Sequence, residues 1–124
     1  MVKMDVYPVK FIVERFGEAL GEFYRMKAPL SVEEIWYSLP ISGRARIEDN
    51  AQLYFLTDIQ VKAEHPTLTV EPGDIAYCPL QKSIHVFWAQ TTPVAEVNII
   101  GKITKNLEMF KEVKSLSRVV LQKH

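Results

Sequence analysis

Two side chains in neighbouring predicted strands could form a nucleophilic pair. Cys78 ends one largely apolar run, His85 interrupts the next, and Pro79 lies in the turn between them. A thiolate beside an imidazole is an arrangement that serves nucleophilic catalysis. Two observations favour a structural role instead: no Asp or Asn is evidently placed to orient the histidine, and a lone cysteine is usually a small buried hydrophobe.

Two arginines are the candidate cations for binding a ligand. Arg44 and Arg46 lie two residues apart in a predicted strand over 41–47, so both side chains should point to the same face. Arginines on strands usually face solvent, and that remains the simpler interpretation of the pair.

The sequence predicts neither a metal site nor a cofactor site. His65, His85 and His124 lack the paired spacing of metal ligands. Gly43 and Gly73 are isolated, so no glycine-rich phosphate loop is expected.

Composition limits the classes of partner. The chain has 124 residues, which suits one domain over 1–124, and its formal net charge of zero argues against nucleic acid as the main partner. No apolar run approaches the roughly 20 residues of a membrane span. A single cysteine excludes an internal disulfide and fits a reducing cytoplasm. The excess of Lys and Arg after residue 102 is interpreted as a solvated face.

The elements that position these residues are mostly strands. A hairpin is predicted from residues 71–79 and 83–91, with Ile84, Val86 and Trp88 on its core face and His85 and Phe87 on the other. Six further strands are predicted at 7–15, 19–26, 41–47, 52–59, 96–104 and 117–122.

Two short helices complete the predicted set of elements. Ser31 and Glu34 form a capping box for a helix that ends before Pro40, and a turn or two of helix is expected at 105–113. The pattern is mainly β and favours a sandwich or a closed barrel of about eight strands.

Several motifs resemble those of cyclophilins. The turn at 89–91 (AQT), the run at 98–108 (NIIGKITKNLE) and the closing VVL at 119–121 are similar to the C-terminal half of that family. The segments 73–79 (GDIAYCP), 98–103 (NIIGKI) and 39–45 (LPISGRA) resemble the small archaeal and bacterial cyclophilin-like family more closely. The resemblance implies a small closed β-barrel with helices covering its ends. The resemblance covers most of residues 28–124; the chain departs from it at 49–55, where Tyr54 and Phe55 are kept but the acidic turn of that family is altered.

The resemblance also implies what the barrel could do. Catalytic cyclophilins isomerise X–Pro bonds with an arginine and an apolar proline pocket; Arg44 or Arg46 lies where that arginine would fall, but His85 replaces the pocket phenylalanine and Ser83 its neighbouring glutamine. We therefore expect a domain that binds a small molecule or a peptide, with a weak peptidyl-prolyl isomerase as the alternative. A homodimer is also considered, because Trp36 and Tyr37 could be partly exposed. The candidate binding residues are Arg44, Arg46, Tyr54, Cys78, Pro79, Ser83, His85 and Phe87.

Overall fold

The fold is a nine-stranded antiparallel sheet with two short helices, seen in a computed structural model that describes residues 5–124. The strands are β1 (Val6–Val13), β2 (Gly17–Tyr24), β3 (Ile41–Arg44), β4 (Arg46–Glu48), β5 (Gln52–Leu56), β6 (Asp74–Cys78), β7 (Ser83–Phe87), β8 (Asn98–Lys105) and β9 (Arg118–Lys123). The helix α1 spans Pro29–Ser38, and a 3₁₀ helix spans Leu107–Glu112. Within the described residues, no helix is both long and apolar enough to cross a membrane.

The sheet runs in the order β3-β9-β1-β2-β8-β6-β7-β5-β4 and curls into a nearly closed barrel. Its strands alternate buried residues with residues that are at least partly exposed where one face meets solvent, as in β1 and β9. The hairpin strands β6 and β7 are buried on both faces. The predicted mainly β barrel is confirmed. The pairing of β2 with β8 shifts register between Leu20 and Gly21.

The barrel closes where one predicted strand divides into two. The expected strand over 41–47 is broken at Ala45: β3 pairs with β9, whereas β4 pairs with β5. Ala45 bridges the change, because its N–H donates to the Ser117 carbonyl at 2.8 Å and its carbonyl accepts from the Leu116 N–H at 2.7 Å. A Cβ at Gly43 would lie 2.9 Å from Phe55 Cδ2, so β3 can cross β5 this closely only with glycine there.

Aromatic contacts join both helices to β1. Trp36 of α1 meets Tyr7 edge to face at 4.9 Å, and Phe110 of the 3₁₀ helix meets Phe11 in the same way at 5.7 Å. Such pairs stabilise a core beyond the area that they bury. Both helices therefore contribute side chains to the main core.

The predicted capping box of α1 is wrong. The helix begins at Pro29, and its N-terminal N–H groups are bound by the distant Glu64. Glu64 Oε2 accepts from the Leu30 N–H at 2.9 Å, and Oε1 accepts from the Ser31 N–H at 2.7 Å and from the Ser31 hydroxyl at 2.8 Å. A carboxylate suits this position, because it satisfies free N–H groups and opposes the positive end of the helix dipole. Local spacing could not reveal a cap contributed by a loop more than thirty residues away.

Replacing Glu64 should therefore destabilise the protein, whereas replacing Glu34 should not. We expect Glu64→Ala to lower the free energy of unfolding by about 1–2 kcal/mol, because three charge-assisted hydrogen bonds are lost. Because Glu34 is exposed, Glu34→Ala should change the free energy of unfolding by less than about 0.5 kcal/mol. Urea denaturation of the two variants measures both values, and an equal loss in both would contradict the assignment of the cap.

Candidate ligand-binding site

The hairpin forms with the predicted faces, but neither face is open. Ile84 and Val86 point into the main core, while His85 and Phe87 lie on the outer face. His85 is only 4% exposed, and Ser83 is fully buried. The outer face of β6 and β7 is therefore a buried layer.

His85 is held by hydrogen bonds at both ring nitrogens. Its Nδ1 lies 2.7 Å from Gln52 Oε1, and its Nε2 lies 2.7 Å from Ser83 Oγ. With the Gln52 amide assigned in this orientation, Oε1 can only accept, so Nδ1 carries the proton and Nε2 accepts from the Ser83 hydroxyl. The Ser–His–Gln order resembles that of a hydrolytic triad, but a fully buried serine offers a substrate no access. The chain of bonds instead satisfies three polar side chains in an apolar layer.

Aromatic rings enclose the same histidine. Tyr54 stacks on the His85 ring at 4.8 Å, and Phe87 lies nearly parallel to it at 5.8 Å. Burial lowers the pKa of His85 from 6.5 to about 4, because the protonated ring would lose its solvation. His85 is therefore neutral at pH 7, consistent with the tautomer that its hydrogen bonds require.

Cys78 belongs to a second small core and does not meet His85. In the ladder Cys78 pairs with Ser83, whereas His85 pairs with Ala76. Cys78 is 1% exposed and packs in a cluster with Val70, Ala76, Phe87 and Val97. Val70 and Val97 come from the segments that precede β6 and β8, so the protein covers this face with its own chain.

The structure separates the two candidate arginines. Arg46 is in register with Tyr54, which is in turn in register with His85, so these three form one row across β4, β5 and β7. Arg44 lies instead opposite Arg118 on β9. Pro79 lies in the turn after β6 and is partly exposed. Six of the eight candidates thus share the outer face, whereas Arg44 and Pro79 lie apart from it.

Arg44 lines a basic cleft at the closure of the barrel. The cleft has a volume of about 470 Å³, and its walls come from the β1–β2 turn, the end of β3 and the chain leading into β9. Its lining residues are Glu14, Arg15, Phe16, Arg44, Lys114, Ser115, Leu116, Ser117 and Arg118. Two of them, Arg15 and Leu116, hold left-handed backbone angles (φ of 74° and 72°), a conformation that costs energy in residues other than glycine.

The charge of this cleft is strongly one-sided. Arg15, Arg44, Lys114 and Arg118 contribute four positive charges against one negative charge from Glu14. Within residues 5–124, none of the four cations forms an ion pair with a carboxylate. Arg44 Nη1 makes one long hydrogen bond, 3.4 Å, to the Leu116 carbonyl. From the sequence, Lys114 and Arg118 were assigned to a solvated face, and the basic excess after residue 102 was the signal that could have pointed to this cleft.

A second, larger cleft lies along β3 and has the opposite charge. It encloses about 610 Å³ between α1, β3 and the chain after β5, and its charged lining residues are Glu34 and Asp58. The residues predicted from the sequence do not line it. Among the described residues, no group of three or more His, Cys, Asp or Glu side chains is placed to hold a metal ion.

The comparisons with known proteins identify the family. A profile described as Cyclophilin-like matches residues 7–122. The chain belongs to the cyclophilin-like family. A hypothetical protein, AF2241 from Archaeoglobus fulgidus, is 28% identical to it and superposes with a TM-score of 0.81 over 98% of each chain. No curated protein is significantly similar to the chain.

One further match to a solved structure concerns the fold alone. The structure of McbB in complex with tryptophan is similar over 93% of this chain and 44% of the McbB chain, with a TM-score of 0.78 and 14% identity. The resemblance stated from the sequence motifs is thus confirmed at the level of family and fold.

The buried His85 should make stability depend on pH. Because burial lowers the pKa in the folded state, the unfolded chain binds a proton more tightly than the folded protein does. The stabilisation from neutral His85 is complete above pH 6.5 and is lost as the pH falls towards 4. A shift of this size corresponds to about 3 kcal/mol.

A His85→Phe variant should lose this part of the pH dependence, whatever its stability at pH 7. Urea denaturation at several values between pH 4 and 7 measures the slope, and His65→Gln serves as the control because His65 is exposed. Equal slopes for wild type and His85→Phe would show that His85 is not the buried titrating group.

Proposed function

We propose that this protein is a ligand-binding barrel whose ligand is a small molecule and whose site is the basic cleft beside Arg44. The observation that carries the proposal is the preformed cleft itself. Its volume of about 470 Å³ is within the range of small-molecule sites. Three separate chain segments supply its charged side chains, as is usual where loops on a rigid scaffold form a site. Arg44 was already a candidate on sequence grounds.

A peptide site on the outer face of the hairpin has less support. A peptide would need accessible surface around His85, but Val70 and Val97 pack over the neighbouring Phe87 and Cys78. Arg46 and Tyr54 are the accessible part of that row. The candidates Arg46, Tyr54, Cys78, Pro79, Ser83, His85 and Phe87 therefore stay predictions.

The same geometry disfavours prolyl isomerisation. Such a site needs an apolar pocket for the proline ring beside a positioned cation, and here His85 and Phe87 are stacked inside the protein. Fold alone does not imply the activity. A cytoplasmic location remains part of the proposal, since the one cysteine is buried and free. A homodimer stays a prediction: Trp36 is buried, and Tyr37 is 63% exposed.

We expect no catalysis of proline isomerisation. In an assay with a proline-containing peptide, the wild-type protein should leave the uncatalysed rate unchanged. If the wild-type protein accelerates isomerisation and Arg44→Ala or Arg46→Ala abolishes the acceleration, this expectation is wrong and the protein is a prolyl isomerase.

The position of the ligand site can be mapped without knowing the ligand. Amide chemical shifts would be recorded with fragment mixtures grouped as anionic, neutral and cationic. We expect bound fragments to shift amides at 14–16 and 114–118. Shifts confined to residues 76–87, or no shifts with any mixture, would overturn the proposed site.

A further inference from the structure

The two arginines of the basic cleft are held directly opposite each other. Arg44 on β3 and Arg118 on β9 are Cα partners in an antiparallel ladder, and both side chains are exposed on the same face. The Cβ atoms of such partners lie roughly 5 Å apart, and like charges in this arrangement repel each other. Two guanidinium groups held in register can therefore share one counter-charge between them.

The protein itself supplies little of that counter-charge. Glu14 is the one acidic residue of the lining, and within residues 5–124 neither arginine forms an ion pair. The Leu116 carbonyl accepts one long bond from Arg44, which leaves the other donors of both guanidinium groups available. Arg15 and Lys114 add positive charge from two other segments of the wall.

We propose that the basic cleft binds a small molecule through a dianionic phosphate group held between Arg44 and Arg118. The proposal rests on the cleft being the ligand site, and it adds the class of ligand. A guanidinium group presents planar pairs of donors that match phosphate oxygens, and two of them can share one tetrahedral group. A single carboxylate would neutralise only one of the two arginines, whereas a phosphate monoester carries close to two negative charges at pH 7.

The size of the cleft favours a small ligand over a nucleic acid. A volume of about 470 Å³ holds a phosphate with a modest organic group. Nucleic-acid binding usually leaves a basic footprint over a wide surface, whereas the chain as a whole has no net charge.

Calorimetric titration with inorganic phosphate and pyrophosphate tests the proposal, with acetate, citrate and a short oligothymidylate as comparison anions. In buffer of low ionic strength, pyrophosphate should bind most tightly and acetate at least about tenfold more weakly, because it carries one charge. Arg44→Gln and Arg118→Gln should each weaken pyrophosphate binding by about tenfold or more. Lys27→Gln removes the same charge at an exposed position outside the cleft and should change binding by less than about twofold.

A second readout separates binding from a merely structural role. Without multivalent anions, Arg44→Gln should melt at the same temperature as the wild type or higher, because the repulsion is relieved. Added pyrophosphate should raise the melting temperature of the wild type but not that of the variant.

Distinct results would overturn the proposal. Phosphate binding between Arg44 and Arg118, here called the phosphate clamp, would be rejected by any of three results. These are equal binding of acetate and phosphate, tighter binding of citrate or of the oligonucleotide than of pyrophosphate, and unchanged binding in both arginine variants. Loss of binding in Arg46→Gln alone would move the ligand to the hairpin. If neutral fragments shift the cleft amides while phosphate and pyrophosphate do not bind, the proposed ligand site stands and the clamp falls.

Discussion

The change of strand partner at Ala45 is the constraint on which this structure depends. The four residues of β3 pair with β9, and the three residues of β4 pair with β5. Between them, Ala45 is held by two backbone hydrogen bonds to residues 116 and 117. Because β3 and β4 are consecutive in the chain and form the two edges of the sheet, the chain itself joins the edges at Ala45. The junction also brings β3 beside the chain that enters β9, and this places Arg44 opposite Arg118. Closure of the fold and the basic cleft thus have one cause.

Packing against the hairpin buries both of its faces. In this barrel β6 and β7 are covered inside by the main core and outside by Val70 and Val97. A buried polar residue is tolerated in such a layer only when its partners are complete, and His85 has both. His85 is therefore a structural element of the layer. Arg46 and Tyr54, the accessible residues of this row, stay predicted binding residues, and the basic cleft at the closure is the site that we propose.

Local sequence patterns predicted most strands. The strand break at Ala45, the cap of α1 and the pairing of Arg44 with Arg118 depend on contacts between residues far apart in the sequence. Alternation along 83–88 correctly assigned Ile84 and His85 to opposite faces, because that property depends only on neighbouring residues. The same rule joined 41–47 into one strand, since nothing local marks a change of partner at Ala45. The capping box failed for a similar reason, because Ser31 is bonded by Glu64 from another loop. The basic cleft could be predicted only in part. Arg44 could be singled out from the sequence, but its position opposite Arg118 depends on the register of β3 and β9.

A crystal structure of the protein with pyrophosphate would test the central claim most directly. We expect density for the anion in the basic cleft, with oxygens within hydrogen-bonding distance of the Arg44 and Arg118 guanidinium groups. Density beside Arg46 and Tyr54, or a cleft that holds no pyrophosphate at saturating concentration, would contradict it.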